Sequence, residues 1–296
     1  MKKINKIRMR ETLVSYCFLA PVLVFFIVFV LIPMGMGIVT SFFKYTMTEF
    51  RFIGFDNYIQ MFQDKVFGKS LLNTLLIVVG SVPIVVAFAL FVSSQTYEKN
   101  AFTRSFFRCV FFLPVVTGTV AVTVVWKWIY DPLSGIMNYI LKGTNIIDSN
   151  IMWLGDKKYA LVAIIIILLT TAVGQPIILY IASMGNIDKS LVEAAEVDGA
   201  SRFQVFWSIK WPALLPTTLY IVVITTINSF QCFSLIQLLT SGGPNFATTT
   251  LMYYLYEKAF KLSEYGYANT IGVFLAVMIG LISFAQFKLL GNDVEY

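Results

Sequence analysis

Six stretches of this chain are long and apolar enough to cross a bilayer, and none of them contains an aspartate or a glutamate. They run roughly over Leu13–Phe43, Ser70–Ser94, Ser105–Tyr130, Tyr159–Met184, Ala213–Leu239 and Ala268–Lys288. About 20 apolar residues cross the hydrocarbon core as a helix, because a helix satisfies its own backbone groups where water cannot. The pattern predicts an all-α polytopic membrane protein with six transmembrane helices, organised as one transmembrane domain over 1–296. The balance of residues agrees: 58% are hydrophobic and 13% charged, where a soluble domain carries about 25% charged residues. The first stretch is longer than a bilayer needs, which predicts a tilt, or a break near Pro33, Gly35 and Gly37. Lys127 and Arg108 fall near the ends of the third stretch, where long side chains reach the interface.

What is missing narrows the chemistry. The chain has no histidine, the commonest metal ligand and general base. Its three cysteines, Cys17, Cys109 and Cys232, lie far apart inside apolar runs. They read as small buried hydrophobes, with no disulfide and no metal site. Ion-coupled transporters need ionisable or densely polar groups at membrane depth, and a membrane-embedded hydrolase needs acids, bases or metal ligands. Neither set is visible, so a stand-alone secondary transporter and an enzyme are both disfavoured. "FGKS" at Phe67–Ser70 resembles the end of a phosphate-binding loop, but the glycine required five residues earlier is Gln63. No cofactor is expected on this chain; any ATP belongs to another polypeptide. The net charge of +6 fits basic cytoplasmic loops better than nucleic acid.

Charge placement predicts the topology. The N-terminal segment "MKKINKIRMRETL" carries five basic residues against Glu11, without a signal-peptide cleavage site. Lys3, Lys6 and Arg10 share a helical face, which suits either a short interfacial helix or an unstructured basic tail. Both termini are placed inside, together with Tyr97–Arg104 and the charged segment around Glu193. Lys44–Lys69, Asp131–Lys158 and Thr240–Tyr267 fall outside.

That charged segment is "EAAEVDGASRFQVFWSIKWPALLP", Glu193 to Pro216. Asp188 predicts the N-cap of a short helix from Lys189 to about Asp198. Gly199 suits a left-handed stop. Ser201 and Gln204 have capping-box spacing for a second helix to about Trp211, which Pro212 ends. The resulting helical hairpin, 185–216, is either a solvated loop or a rigid acidic knob that docks into a partner's groove.

The same residues resemble the coupling motif of binding-protein-dependent ABC importer permeases: Glu193, Ala194, Ala195, Asp198, Gly199, Ala200, Phe206, Ile209 and Pro212. Further stretches resemble the carbohydrate-uptake branch, as in the first permease subunit of maltose and glycerol-3-phosphate importers. They are "FIGFDNYIQMF" (Phe52–Phe62), "LLNTL" (Leu71–Leu75), "FFLP" (Phe111–Pro114), "LIQLLTSGGP" (Leu235–Pro244) with Thr248–Thr250, and "YGYA" (Tyr265–Ala268). The resemblance covers nearly the whole chain, in a compact form without the added N-terminal spans and large extracellular domain of some relatives. It implies a subunit of an ATP-driven sugar importer in the bacterial cytoplasmic membrane. The implied partners are a sister permease, two ATPase subunits gripping the hairpins, and an external sugar-binding protein, with membrane lipid around them. The same machine carrying glycerol phosphate or another polar solute is the nearest alternative.

A sugar at mid-membrane needs hydrogen-bond partners. Thr225, Asn228, Ser229 and Cys232 follow i, i+3, i+4, i+7 spacing on the fifth stretch, one helical face. They are path candidates, or glue between helices. Gln175, before Pro176 on the fourth stretch, is a further candidate, and Tyr180 reads as packing. "TSGGPNF", Thr240–Phe246, has the composition of a tight turn. In the family it belongs to the external entrance.

Overall fold

The computed structural model describes residues 2–291, with side chains for residues 8–290. The expectations about the side chains of Lys3 and Lys6 and about the last residues of the chain lie outside that range. The described chain is mostly helical and clusters into two compact units, Met1–Gln63 with Leu255–Phe274, and Asp64–Tyr254 with Leu275–Tyr296. Among the described residues, five helices are long and apolar enough to span a membrane, or six if a sharply bent pair counts as one.

In the first unit, α1 (Lys2–Phe26) passes through a π-helical turn, Ile27–Leu31, into α2 (Ile32–Thr40). The expected break near Pro33 does not occur; the span runs unbroken over Arg8–Thr40. Proline lacks an N–H and its ring crowds the carbonyl four residues back. Here Pro33 sits in the first turn after the π segment, whose wider winding accommodates both. A small antiparallel hairpin follows, β1 (Phe43–Tyr45) and β2 (Phe50–Phe52), with Lys44 opposite Arg51. The amide of Asn57, on α3 (Asp56–Gln63), donates to the carbonyls of Ser41 and Phe43 at 2.8 and 2.9 Å. It thereby satisfies backbone oxygens left over where α2 ends.

The second unit opens with α4 (Lys65–Tyr97), capped by Asp64, whose carboxylate accepts from the Val66 and Phe67 N–H groups. Phe67–Ser70 therefore lies in a helix, not in a phosphate-binding loop. The third expected span is broken: α5 (Ala101–Val116) and α6 (Thr119–Ile129) meet at 100°. Pro114 sits in the last turn of α5, and Thr117 and Gly118 are extended, so the helix stops and restarts. After α7 (Ile136–Gly143), α8 (Ala160–Ala172) and α9 (Gly174–Gly185) form one continuous span. The hairpin helices α10 (Lys189–Val197) and α11 (Arg202–Val205) come next. A π-helical turn, Phe206–Lys210, then leads directly into α12 (Trp211–Phe230). Pro212 therefore does not end the second hairpin helix; the π turn before it absorbs the missing N–H, as at Pro33. The fifth span stops at Phe230 and not at Leu239, because α13 (Ser234–Leu239) is a separate short helix. The described chain closes with α14 (Leu251–Tyr256), a π turn at Glu257–Lys261, and α15 (Tyr265–Gly291).

The core of the second unit is where α4, α9 and α12 meet, around Val85, Ala89, Ile177, Tyr180, Leu214 and Ile221. Hydroxyls stitch these helices together. Tyr180 donates to the Thr218 hydroxyl at 3.0 Å, and Ser81 pairs with Ser229 at 2.9 Å. Tyr180 is a packing residue, as its sequence context suggested. Gly174 lets α9 approach α5 closely: a Cβ there would lie 2.3 Å from the Phe111 carbonyl oxygen.

Candidate functional site

The hairpin is built by caps. Asp188 accepts from the Ser190 N–H at 2.9 Å and starts α10. That hydrogen bond holds its carboxyl below the usual carboxylate range. At the other end Gly199 takes φ +81°. The Ala200 N–H reaches back to the Ala195 carbonyl and the Gly199 N–H to that of Glu196, at 2.9 and 3.1 Å. This pair of crossed bonds is a Schellman cap. It gives the spacing of Ala195, Asp198, Gly199 and Ala200 a local physical reason. Ser201 and Gln204 then close a reciprocal capping box. The chain thus turns through Asp198–Ser201 with its freed backbone groups satisfied, so the knob is stiff before anything grips it.

Its outer surface is exposed and sets large apolar side chains among acidic ones. Glu193, Ala194, Glu196, Asp198, Gly199 and Pro212 are exposed, while Ala195, Ala200, Phe206 and Ile209 are half-buried. Val197 and Phe203 are 87% and 72% exposed. Such residues crowd a surface that meets another protein more often than one that stays in water. The knob is tied back by Lys210, whose ammonium pairs with Glu98 at 2.9 Å. Lys210 lowers the Glu98 carboxyl below its ordinary value.

At membrane depth Gln175, Thr225, Asn228 and Ser229 line one cavity of about 260 Å³, together with Thr171. Spacing alone placed three of these on one face; the fold adds Gln175 from α9. Cys232 does not join them on that helical face, because α12 ends at Phe230. It is buried in the wall of an adjoining cavity of about 270 Å³. The two cavities share Val115, Leu168 and Thr171. Roles inside the first cavity differ. Ser229 is buried and bonded to Ser81, an interhelical tie. Gln175, inside the span Ala160–Gly185, and Asn228, in the last turn of α12, are exposed amides on apolar helices, where contact with lipid would be costly. Among the described residues, no carboxylate, ammonium or guanidinium lines either cavity.

Sequence reasoning missed Thr117, Thr119, Gln231 and Ser234, which line the second cavity. Thr117 and Thr119 flank the break between α5 and α6, and Gln231 and Ser234 the one between α12 and α13, neither of which the apolar pattern reveals. The turn Thr240–Phe246 is as tight as its composition implied, with Gly242 at φ +82°. It is pinned by the "LLNTL" stretch: the Asn73 amide donates to the Phe246 and Thr249 carbonyls, each at 3.0 Å. Thr74 accepts from the Leu251 N–H at 3.0 Å.

Residues 8–295 match the family described as binding-protein-dependent transport system inner membrane component. The probable ABC transporter permease protein YurN of Bacillus subtilis is 34% identical, over 97% of this chain and 99% of that one. The multiple sugar-binding transport system permease protein MsmF of Streptococcus mutans is 33% identical, over 93% of this chain and 94% of its own. The lactose transport system permease protein LacF of Rhizobium radiobacter is 32% identical, over 92% of each. Among solved structures, a chain of a bacterial ABC transporter involved in the import of the acidic polysaccharide alginate superposes with a TM-score of 0.85. That match covers 97% of this chain and 98% of the other at 23% identity, a likeness of fold.

Proposed function

The chain belongs to the family of inner membrane components of binding-protein-dependent transport systems, and on that premise we propose how it works as the membrane-spanning subunit of a sugar importer. The observation that carries the proposal is the doubly capped hairpin, whose exposed face combines Glu193, Glu196 and Asp198 with Val197 and Phe203. In this reading, Glu193, Ala194, Ala195, Asp198, Gly199, Ala200, Phe206, Ile209 and Pro212 form the surface that a cytoplasmic ATPase grips. A sister permease contributes a second hairpin to a second ATPase. Closure of the ATPases on ATP draws the hairpins together and opens the path outward, where an external binding protein delivers the sugar. Both termini and the hairpin face the cytoplasm. ATP is bound and hydrolysed by the partners, and this chain performs no chemistry.

The path runs past Gln175, Thr225 and Asn228, whose hydroxyl and amides would replace water around a sugar. Ser229 holds α12 against α4 and shapes that wall. Cys232 belongs to the neighbouring cavity. A phosphorylated cargo such as glycerol phosphate fits less well, because no described lining side chain carries the positive charge that would offset desolvation of a phosphate.

The test is to purify the assembly arrested with a non-hydrolysable nucleotide and identify what remains bound. Two ATPase copies, a second permease, a docked binding protein and a co-purifying uncharged saccharide are expected. A lone permease, or an anionic ligand co-purifying in place of the saccharide, would overturn the reading.

A further inference from the structure

A further cavity of the second unit shares no lining residue with the two described above. It is a groove of about 870 Å³ beside the hairpin, running along the last turns of α4. Its composition changes with depth. At the deep end it is walled by Ala87, Leu90 and Phe91, and Ala87 lies ten residues before Tyr97, about 15 Å along the helix axis. At the shallow end are Lys99, Arg202 and Lys210. Two carboxylates line the same end, Glu98 and Glu196; Glu98 pairs with Lys210 and is drawn more weakly by Arg202 and Lys99, which form no ion pair of their own among the described residues, so cations remain in surplus. Arg104 adds a further cation next to the groove, stacked on the lining residue Tyr97 and donating to the Lys99 carbonyl at 3.1 Å. Phe91 is 62% exposed and Trp207 48% exposed, so the apolar wall lies open in this chain.

We propose that this groove holds an anionic phospholipid of the cytoplasmic leaflet, its phosphate between Lys99 and Arg202 and one acyl chain along Ala87 and Phe91. A lipid is the occupant that matches both ends. A greasy wall accepts a hydrocarbon chain, and a surplus of cations over carboxylates at its other end accepts a phosphate. Trp207 lines the groove near the start of the span Arg202–Phe230, which suits an indole with one side in the acyl region and one in the headgroups. An ATPase on the hairpin would cover the edge of the groove at Phe206 and match the cations, but it would not fill the deep wall of Ala87, Leu90 and Phe91. A helix of the sister permease would match the wall but leave the cations unpaired. Because Arg202 is the first residue of α11, a bound phosphate also braces the second hairpin helix. The placement in the cytoplasmic leaflet rests on the orientation proposed above; the binding does not.

The assembled importer in nanodiscs open on both faces tests this without regard to sidedness. One set is made of phosphatidylcholine alone, the other of phosphatidylcholine and phosphatidylglycerol, and retained lipid is read by native mass spectrometry. Wild type is expected to keep phosphatidylglycerol and not phosphatidylcholine. Lys99→Gln with Arg202→Gln should weaken retention about thirtyfold, from roughly fivefold for each cation removed near an anionic surface. Ala87→Phe fills the deep end at a position exposed to lipid. It should release the lipid with every cation still in place, and it keeps the test valid should the double variant fail to assemble. Equal retention in wild type and both variants overturns the proposal. So does a cross-link from Phe91→Cys to the sister permease in place of lipid, or release by Lys99→Gln with Arg202→Gln but not by Ala87→Phe, which would mean a free phosphate site.

Discussion

Gly199 offers a graded test of the hairpin, because its surroundings separate backbone strain from collision. It holds φ +81°, yet a Cβ added there would meet nothing within 4 Å. Any cost of substitution is therefore conformational. A non-glycine residue in the left-handed region costs roughly 1–2 kcal/mol, least for asparagine and most for β-branched residues. Gly199→Ala should cost about 1 kcal/mol, a fivefold loss of the capped turn, and Gly199→Val about 2 kcal/mol, nearer thirtyfold. Gly199→Asn should stay close to wild type. The assay is the amount of ATPase retained on membranes through the permease, together with ATP-driven uptake. Both should fall in the order Gly, Asn, Ala, Val. Removing the charge at Glu193 should cost less than Gly199→Val, because an exposed charge contributes under about 1 kcal/mol. Wild-type retention and uptake in Gly199→Val would refute the argument that this turn sets the docking surface.

Asn228→Leu should lower uptake while leaving assembly and basal ATP hydrolysis intact, since a buried sugar hydroxyl without its partner costs about 1–3 kcal/mol; normal uptake would make Asn228 a packing residue. Gly174→Ala should loosen the α5–α9 contact by about 1–3 kcal/mol, because the new methyl overlaps the Phe111 carbonyl; unchanged thermal stability of the purified assembly would contradict that geometry. For Glu98→Gln the sign follows from Lys210, which depresses the Glu98 pKa in the folded chain. The ion pair contributes above the ordinary carboxylate value, and its contribution is lost as pH falls through the lowered one. The stability gap between wild type and Glu98→Gln should therefore be present at neutral pH and close in acid. It should stay within about 1 kcal/mol, since the Glu98 side chain is 57% exposed.

The hairpin was legible in the sequence because its determinants are local. An N-cap at Asp188, a left-handed glycine at 199 and a capping box at Ser201–Gln204 each act within a few residues. The spans were legible because transfer into lipid depends on composition summed over about 20 residues. The same summing hid their interruptions. Extended Thr117 and Gly118 cost little in hydropathy, so a 100° bend lies inside one apolar run. Likewise Leu235–Leu239 extended the apparent fifth span beyond Phe230. Pro212 misled for the opposite reason. A proline normally stops a helix, and the π turn that spares this one leaves no mark in residue type. Gln175 and Asn228 could be named from sequence as costly polar groups in apolar runs, but their meeting in one cavity depends on how α9 packs against α12. The helical face drawn through Cys232 failed because the helix had ended two residues earlier.

The central claim is that this chain forms a path whose energy comes from other subunits, and reconstitution into sealed vesicles tests it most directly. The chain alone should neither hydrolyse ATP nor accumulate sugar under a proton or sodium gradient. Together with the sister permease, the ATPase and the loaded binding protein, it should do both, with uptake dependent on ATP. Concentrative uptake by the chain alone, driven by an ion gradient, would contradict the account.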